Sequence, residues 1–260
     1  MISRNEMSNE LVSIITPSYN SQTYISQTIE SILAQTYSNW ELLITDDCST
    51  DHTIDIIKKY QKRDSRIKLF LFHKNQGSGA ARNNSIKEAN GRYIAFCDSD
   101  DLWAPEKLRI QIDFIVKSKS LLIFSSYNII NESGNYIKTK HAKSHVTYSQ
   151  MLSYNYIGCL TVLYDSMHVG KQYFSEIRKR QDYAMWLTII RKTKNAKGIK
   201  QPLAEYRLRK GSISQNKFSL LKFNWLVYYK TQKFNILKST ILLIKFLLFF
   251  MFKRSKHKQK

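Results

Sequence analysis

Acidic residues are nearly missing from the last third of this chain. Residues 171–260 carry 23 Lys and Arg against only Glu176, Asp182 and Glu205, whereas residues 1–170 are almost balanced, with 18 basic and 17 acidic side chains. The net charge of +21 therefore sits at one end. Such polarity implies an anionic partner for that end, with nucleic acid, anionic lipid and a diphosphate-linked acceptor all open on charge alone. Cysteine is scarce too. Cys48, Cys97 and Cys159 have neither metal nor redox spacing, which excludes a disulfide framework and points to a reducing compartment. No apolar run is long enough to cross a bilayer: Ile241–Phe252 has 12 residues and includes Lys245, where ~20 apolar residues are needed. Met1–Glu10 is polar and the apolar run from Leu11 is short, so no secretory signal is predicted.

What is present alternates regularly through the first half. Apolar runs at Val12–Thr16, Trp40–Thr45, Ile67–Phe72 and Arg92–Cys97 read as buried strands. Helical patterns fill the gaps. One spans about 22–35, with Ile25, Ile29, Ile32 and Leu33 on one face; a second runs to about Tyr60 with Asp51 as its N-cap; a third runs from Gly77-Ser-Gly79 to about Asn90, with Gly91 as its C-cap. This alternation predicts a doubly wound, mainly parallel α/β sheet, in which ligands bind at the carboxyl ends of the strands. The loops there, 16–20, 46–50, 74–82 and 98–103, are polar, and two are acidic. Beyond them, 121–130 and 135–139 read as paired strands, 158–164 as another strand, and 181–191 as a helix. His141 and His145 are four apart, but their lysine-rich surroundings read as a solvated loop.

The most informative loop follows the fourth strand. In Tyr93-Ile-Ala-Phe-Cys-Asp98-Ser-Asp100-Asp101-Leu-Trp103, three carboxylates fall within four positions. Carboxylates this close repel one another. A hard divalent cation relieves that repulsion while water and a substrate phosphate complete its shell. An acidic helix N-terminus would use the same residue types.

Four stretches in order, Val12-Ser-Ile-Ile-Thr-Pro-Ser-Tyr-Asn20, Asp46-Asp47-Cys-Ser-Thr-Asp51, Gly79-Ala-Ala-Arg82-Asn83 and Gly91-Arg-Tyr-Ile-Ala-Phe-Cys-Asp-Ser-Asp-Asp-Leu-Trp103, resemble the glycosyltransferases of family 2, of the GT-A fold. The likeness is closest to bacterial enzymes that build capsule, teichuronic acid or lipopolysaccharide chains. It implies a nucleotide pocket lined by Thr16, Pro17, Ser18 and Tyr19, with Asp47 accepting from a uracil ring and Asp46 beside it. Arg82 would lie near the base or diphosphate. Asp98, Ser99 and Asp100 match the family's Asp-x-Asp element, with the ribose and the metal as its expected contacts; Asp98, Asp100 and Asp101 are the candidates for the carboxylate that bonds the metal directly. The resemblance further implies a Mn2+ or Mg2+ cofactor and a UDP-sugar donor. In Arg180-Gln181-Asp182-Tyr-Ala-Met-Trp186, Asp182 stands where the family places its catalytic base, while Gln181 replaces the commoner Glu. Tyr206-Arg207-Leu-Arg209-Lys-Gly-Ser212-Ile-Ser214 resembles a later element in which a basic residue and serines approach the diphosphate; Arg207 is counted with that site, and Arg209 keeps the positive charge where the family often has His.

The resulting expectation is an inverting, metal-dependent transferase acting on a saccharide or lipid-diphosphate acceptor. Residues 1–215 would form the catalytic domain, 11–109 its donor half and 110–215 its acceptor half. Residues 216–260 would be a basic amphipathic tail on an anionic membrane surface, placing the protein in the cytoplasm at the inner face of the plasma membrane. No nucleic acid partner is expected. The alternatives are a nucleotidyltransferase of related fold, for which 16–20 lacks the usual Gly and cation, and a non-catalytic basic protein binding nucleic acid or membrane.

Overall fold

The computed structural model describes residues 9–209 and 217–258. A ten-stranded mixed sheet organises them, in the order β3-β2-β1-β4-β9-β6-β10-β5, with β7 added to β6 and β8 to β10. Strands β1 (Val12–Ser18), β2 (Trp40–Asp46), β3 (Ile67–Leu71) and β4 (Tyr93–Phe96) pair in parallel. β1 and β2 are buried along their whole length, as expected of strands covered on both faces. Alternation then sorts their side chains between two cores. Ile14, Leu42 and Ala95 meet helices α1 (Ile25–Leu33), α2 (Thr53–Arg63) and α4 (Lys107–Ser118) on one face. Ile15, Leu43 and Phe96 meet α3 (Ser78–Glu88), α5 (Tyr148–Ser153) and α7 (Gln181–Thr193) on the other.

The second half breaks the parallel pattern. β9 (Leu163–Asp165) runs antiparallel to β4 and to β6 (Leu122–Ile130), and a short helix α6 (Ser166–Val169) follows it. β7 (Tyr136–Lys140) and β8 (His145–Thr147) lie antiparallel to their partners, as does β5 (Leu102–Trp103) on β10 (Asn195–Arg207). β10 itself pairs in parallel with β6, and its register shifts on either side of Pro202, where no ladder N–H exists to give. Three local expectations change. Residues 158–164 divide into a tight turn at Cys159–Thr161 and the start of β9. The second helix begins at Thr53, with Asp51 accepting the Thr53 and Gln22 amides from outside it. Gly91 is no helix cap, because α3 ends at Glu88 with Ala89 as its C-cap; a β-carbon at Gly91 would stand 2.6 Å from the Ser13 amide nitrogen.

The tail is part of this body rather than an appendage. Helix α8 (Lys217–Leu226), a π turn at Val227–Thr231 and α9 (Ile236–Lys258) fold back on α5 and α7. Val227, Tyr228 and Leu242 join the main core, and Tyr183 and Tyr228 share a 3.2 Å hydrogen bond between their hydroxyls. The opposite face of α9 leaves Leu237, Ile241, Ile244 and Leu248 exposed. No helix among the described residues is long and apolar enough to cross a membrane.

Candidate active site

The parallel pairing of β1 with β2 and β4 brings their carboxyl ends, and the acidic loops that follow, to one edge of the sheet. Asp46 closes β2 with its carboxylate spent inside the protein: it accepts from Ser18 Oγ (2.8 Å), the Ser49 amide (2.8 Å) and Ser49 Oγ (2.6 Å). Asp47 clasps the loop leading to α3. Its two oxygens accept the amides of Gln76 (2.6 Å) and Gly77 (2.7 Å), and it is almost fully buried. Each carboxylate oxygen can take more than one hydrogen bond, so a nucleobase N–H still fits Asp47. Thr16 is buried with its Oγ1 lacking a protein partner, Pro17 and Ser18 are buried, and Tyr19 is 49 % exposed at the rim. Ser99 bonds to Ser21 Oγ at 2.7 Å, which ties the acidic loop after β4 to the segment that follows β1.

The carboxylates after β4 divide their tasks. Asp98 accepts from Arg82 Nη2 at 2.6 Å. Asp100 pairs with Arg209 Nε at 2.5 Å. Asp101 turns inward, where it accepts the Arg207 amide at 3.1 Å and its own carbonyl takes the Thr28 hydroxyl at 2.9 Å. Burial pushes the Asp100 carboxyl up, with the neighbouring Asp98 charge adding to the effect. Burial also raises Asp101 well above the ordinary carboxylate range, helped by Asp100 and Asp98. Crowded hard oxygens whose charge is costly to keep are the donor set that suits a Mg2+ or Mn2+ ion. Among the described residues no three acidic, His or Cys side chains form a closed metal cage. An ion at Asp98 and Asp100 would thus draw part of its shell from water and a diphosphate.

Arg207 differs from its sequence role. It is buried, and its guanidinium is committed to the protein: Nε donates to the Asp100 carbonyl (3.0 Å), Nη1 to the Glu132 carbonyl (3.0 Å) and Nη2 to Gln27 Oε1 (2.8 Å). It pins the acidic loop from behind, and Arg209 is the cation paired with the Asp100 carboxylate. Ser212 and Ser214 lie outside the described residues.

Arg82 links the loop after β4 to the segment that leads into α7. It projects from α3, about a turn beyond Gly77, and its guanidinium lies 5.2 Å from the Phe174 ring centre. Asn83 fixes that ring by donating to the Phe174 carbonyl and accepting its amide. Burial alone would lower the Arg82 pKa, but Asp98, with smaller contributions from Cys159 and Asp182, holds it above the ordinary value. Asp182 sits in the first turn of α7, where it accepts from Asn155 Nδ2 at 3.4 Å. Gln181 packs against α3 at Gly79, where a β-carbon would lie 2.3 Å from its Nε2, and it donates to the Ser175 carbonyl at 3.1 Å. The structure thus pairs Arg82 with Asp98 and, through Gln181 against Gly79, sets the start of α7 beside the helix that carries Arg82. Sequence reasoning missed Asn83 and Asn155, whose positioning roles depend on long-range contacts, and Ser49, whose bonds to Asp46 three residues earlier form a local Asx-type turn that the sequence could have signalled.

The fold is that of GT-A glycosyltransferases. The chain superposes on S. aureus TarS 1–349 in complex with UDP-GlcNAc with a TM-score of 0.71, 22% identity, and coverage of 91% of this chain and 70% of that one. The Pyrobaculum calidifontis mannosyltransferase PcManGT, solved with GDP-Man and Mn2+, gives a TM-score of 0.67 at 15% identity, covering 90% and 70%. The sequence narrows the class: this chain belongs to glycosyl transferase family 2, whose model it matches over residues 13–183. It is 42% identical over 231 residues to TuaG of Bacillus subtilis (strain 168), named for teichuronic acid biosynthesis, covering 88% of this chain and 92% of that protein. It is also 42% identical over 224 residues to the Escherichia coli protein WfgD, covering 84% and 85%; WfgD is named as a β-1,3-glucosyltransferase from UDP-Glc to α-D-GlcNAc-diphosphoundecaprenol.

Proposed function

We propose that the protein is an inverting glycosyltransferase that moves a sugar from a UDP-sugar to a growing cell-surface polysaccharide or a lipid-diphosphate-linked saccharide. The observation that carries this reading is the packing of Gln181, the neighbour of Asp182 at the start of α7, against Gly79 of α3, three residues before the Arg82 that pairs with Asp98 at the end of β4. In a single displacement, Asp182 takes the proton of the acceptor hydroxyl as that oxygen bonds to the anomeric carbon. The bond from that carbon to the diphosphate oxygen breaks on the opposite face, and UDP leaves. A divalent cation bound by Asp98 and Asp100 would neutralise charge on the departing diphosphate. Arg82 and Arg209 hold those two carboxylates in place. Thr16, Ser18 and Asp47 form the nucleotide end of the pocket, with UDP favoured by the names of WfgD and TarS. The exposed apolar face of α9 and the basic C-terminal third suit peripheral binding at the inner face of the plasma membrane.

The test is calorimetric titration of UDP with and without Mn2+, combined with transfer assays on Asp182→Asn and Asp100→Asn. We expect Asp182→Asn to keep UDP affinity and lose transfer by about 10²- to 10⁴-fold, and Asp100→Asn to lose metal-dependent UDP binding. Equal loss of UDP binding and transfer in Asp182→Asn would make Asp182 structural, and absence of nucleotide binding in the native chain would defeat the reading.

A further inference from the structure

On the acceptor side of Asp182, a group of cations and rings has no part in the transfer just described. Lys140, the last residue of β7, lies directly opposite Tyr127 of β6, and its ammonium is 5.4 Å from the centre of the Tyr127 ring. Tyr127 packs edge to face with Tyr206 and closely on Gly158, where a β-carbon would stand 2.9 Å from the ring. Three residues past β7, the Lys143 ammonium lies 4.2 Å from the Tyr156 ring centre. Tyr156 and Tyr154 pack edge to face at 5.0 Å, and both rings meet Phe249 of α9. Asn155, between those two tyrosines, is the residue that donates to Asp182. The cluster therefore reaches from the base to the tail helix.

Lys140 keeps its charge in an unfavourable place. Burial would lower its pKa, yet the oxygens of Tyr127 and Tyr154, and more weakly the Asp182 carboxylate, hold it above the ordinary lysine value. A half-buried cation is costly unless it meets an anion. The chain supplies few. Between Glu132 and Asp182 the only acids are Asp165 and Glu176, and Asp165 is already paired with Arg92 and His168. Ring faces beside an ammonium suit a sugar that carries a negative group, since the rings contact its apolar face and the cation its charge.

We infer that Lys140 and Lys143, backed by Tyr127, Tyr154 and Tyr156, form a subsite for an anionic group on the acceptor sugar, seating the hydroxyl of that sugar at Asp182. This rests on the reading of Asp182 as the acceptor-side base. The anion has two possible sources of the same chemistry, the phosphate of a lipid-linked sugar diphosphate and the carboxylate of a uronic acid unit.

The experiment measures binding, so that it stands apart from turnover. N-acetylglucosamine 1-phosphate, the neutral methyl N-acetylglucosaminide and methyl glucuronide are titrated into the full chain, with and without saturating UDP, for the native protein, Lys140→Gln and Lys140→Arg. The native protein should bind one or both anionic sugars more tightly than the neutral one. Lys140→Gln should weaken the anionic ligand about tenfold or more, leave the neutral sugar and UDP unchanged, and be largely rescued by Lys140→Arg. Preference for the phosphate identifies a diphosphate-linked acceptor, and preference for the uronate an acidic polymer; either supports the subsite. Equal affinity for charged and neutral sugars in the native protein overturns it, as does an anionic preference that survives Lys140→Gln. Failure of the chain to turn over any UDP-sugar would defeat the transferase reading while leaving these affinities as measured.

Discussion

At the scale of single residues, two glycines show how differently the same residue type can serve. A β-carbon at Gly91 would lie 2.6 Å from the Ser13 amide nitrogen and 2.7 Å from the Leu11 carbonyl oxygen, both fixed by the β1–β4 pairing. A β-carbon at Gly79 would meet only the far end of Gln181, which can turn away. We therefore expect Gly91→Ala to cost about 1–3 kcal/mol through backbone displacement, seen as a clear drop in Tm. Gly79→Ala should barely move Tm but lower kcat at unchanged UDP affinity, because Gln181 stands beside Asp182. A large Tm loss in Gly79→Ala would show that Gln181 has no room to yield. Read locally, Gly91 looks like a helix C-cap; its real constraint comes from a strand about 80 residues earlier.

At the scale of elements, α4 carries an unusual charge for a core-facing helix. Lys107, its first residue, is fully buried, with its ammonium hydrogen-bonded to Gln111 and 4.1 Å from the centre of the Trp103 ring. Burial lowers its pKa to about 7. An unfolded lysine keeps its proton to about 10.4, so between about 7 and that value the unfolded chain binds more protons than the folded one. Stability from this group thus rises with pH across that window, with a slope approaching about 1.4 kcal/mol per pH unit. Chemical denaturation between pH 7 and pH 10 should show the rise in the native protein and a flatter profile in Lys107→Met. Parallel profiles would mean that Lys107 stays protonated in the fold. The acidic loop above α4 is legible from its residue types alone, but this lysine reads as an ordinary first-turn surface residue until the sheet covers it.

At the scale of the molecule, charge and apolar exposure converge on the C-terminal third. One face of α9 is buried through Leu242 and Phe246, while Leu237, Ile241, Ile244 and Leu248 face outward. Joined to the excess of Lys and Arg, this outer face suits a bilayer of anionic lipid. Sedimentation with vesicles containing phosphatidylglycerol should show binding that weakens as salt rises from ~0.05 to ~0.5 M, where screening shortens the reach of surface charge. Ile241→Ser with Ile244→Ser should reduce binding further with little change in Tm, since both positions are exposed. Binding that ignores both salt and these substitutions would remove the membrane from the account of this tail.

Much of residues 11–109 was determined by sequence alone, for a physical reason. Parallel strands buried on both faces must be apolar, their loops must emerge at one end, and carboxylates crowded into one of those loops stand out by residue type; each feature leaves a local mark, from Val12 to Trp103. The tertiary structure decided the rest. It turned Arg207 inward to brace the acidic loop and brought Arg209 to Asp100 instead. It folded the tail into the core through Val227 and Tyr228. It set Asn155 beside Asp182 and Lys140 across from Tyr127. These arrangements depend on long-range contacts between half-polar segments, where neither periodicity nor composition distinguishes a residue that braces the fold from one that meets a ligand.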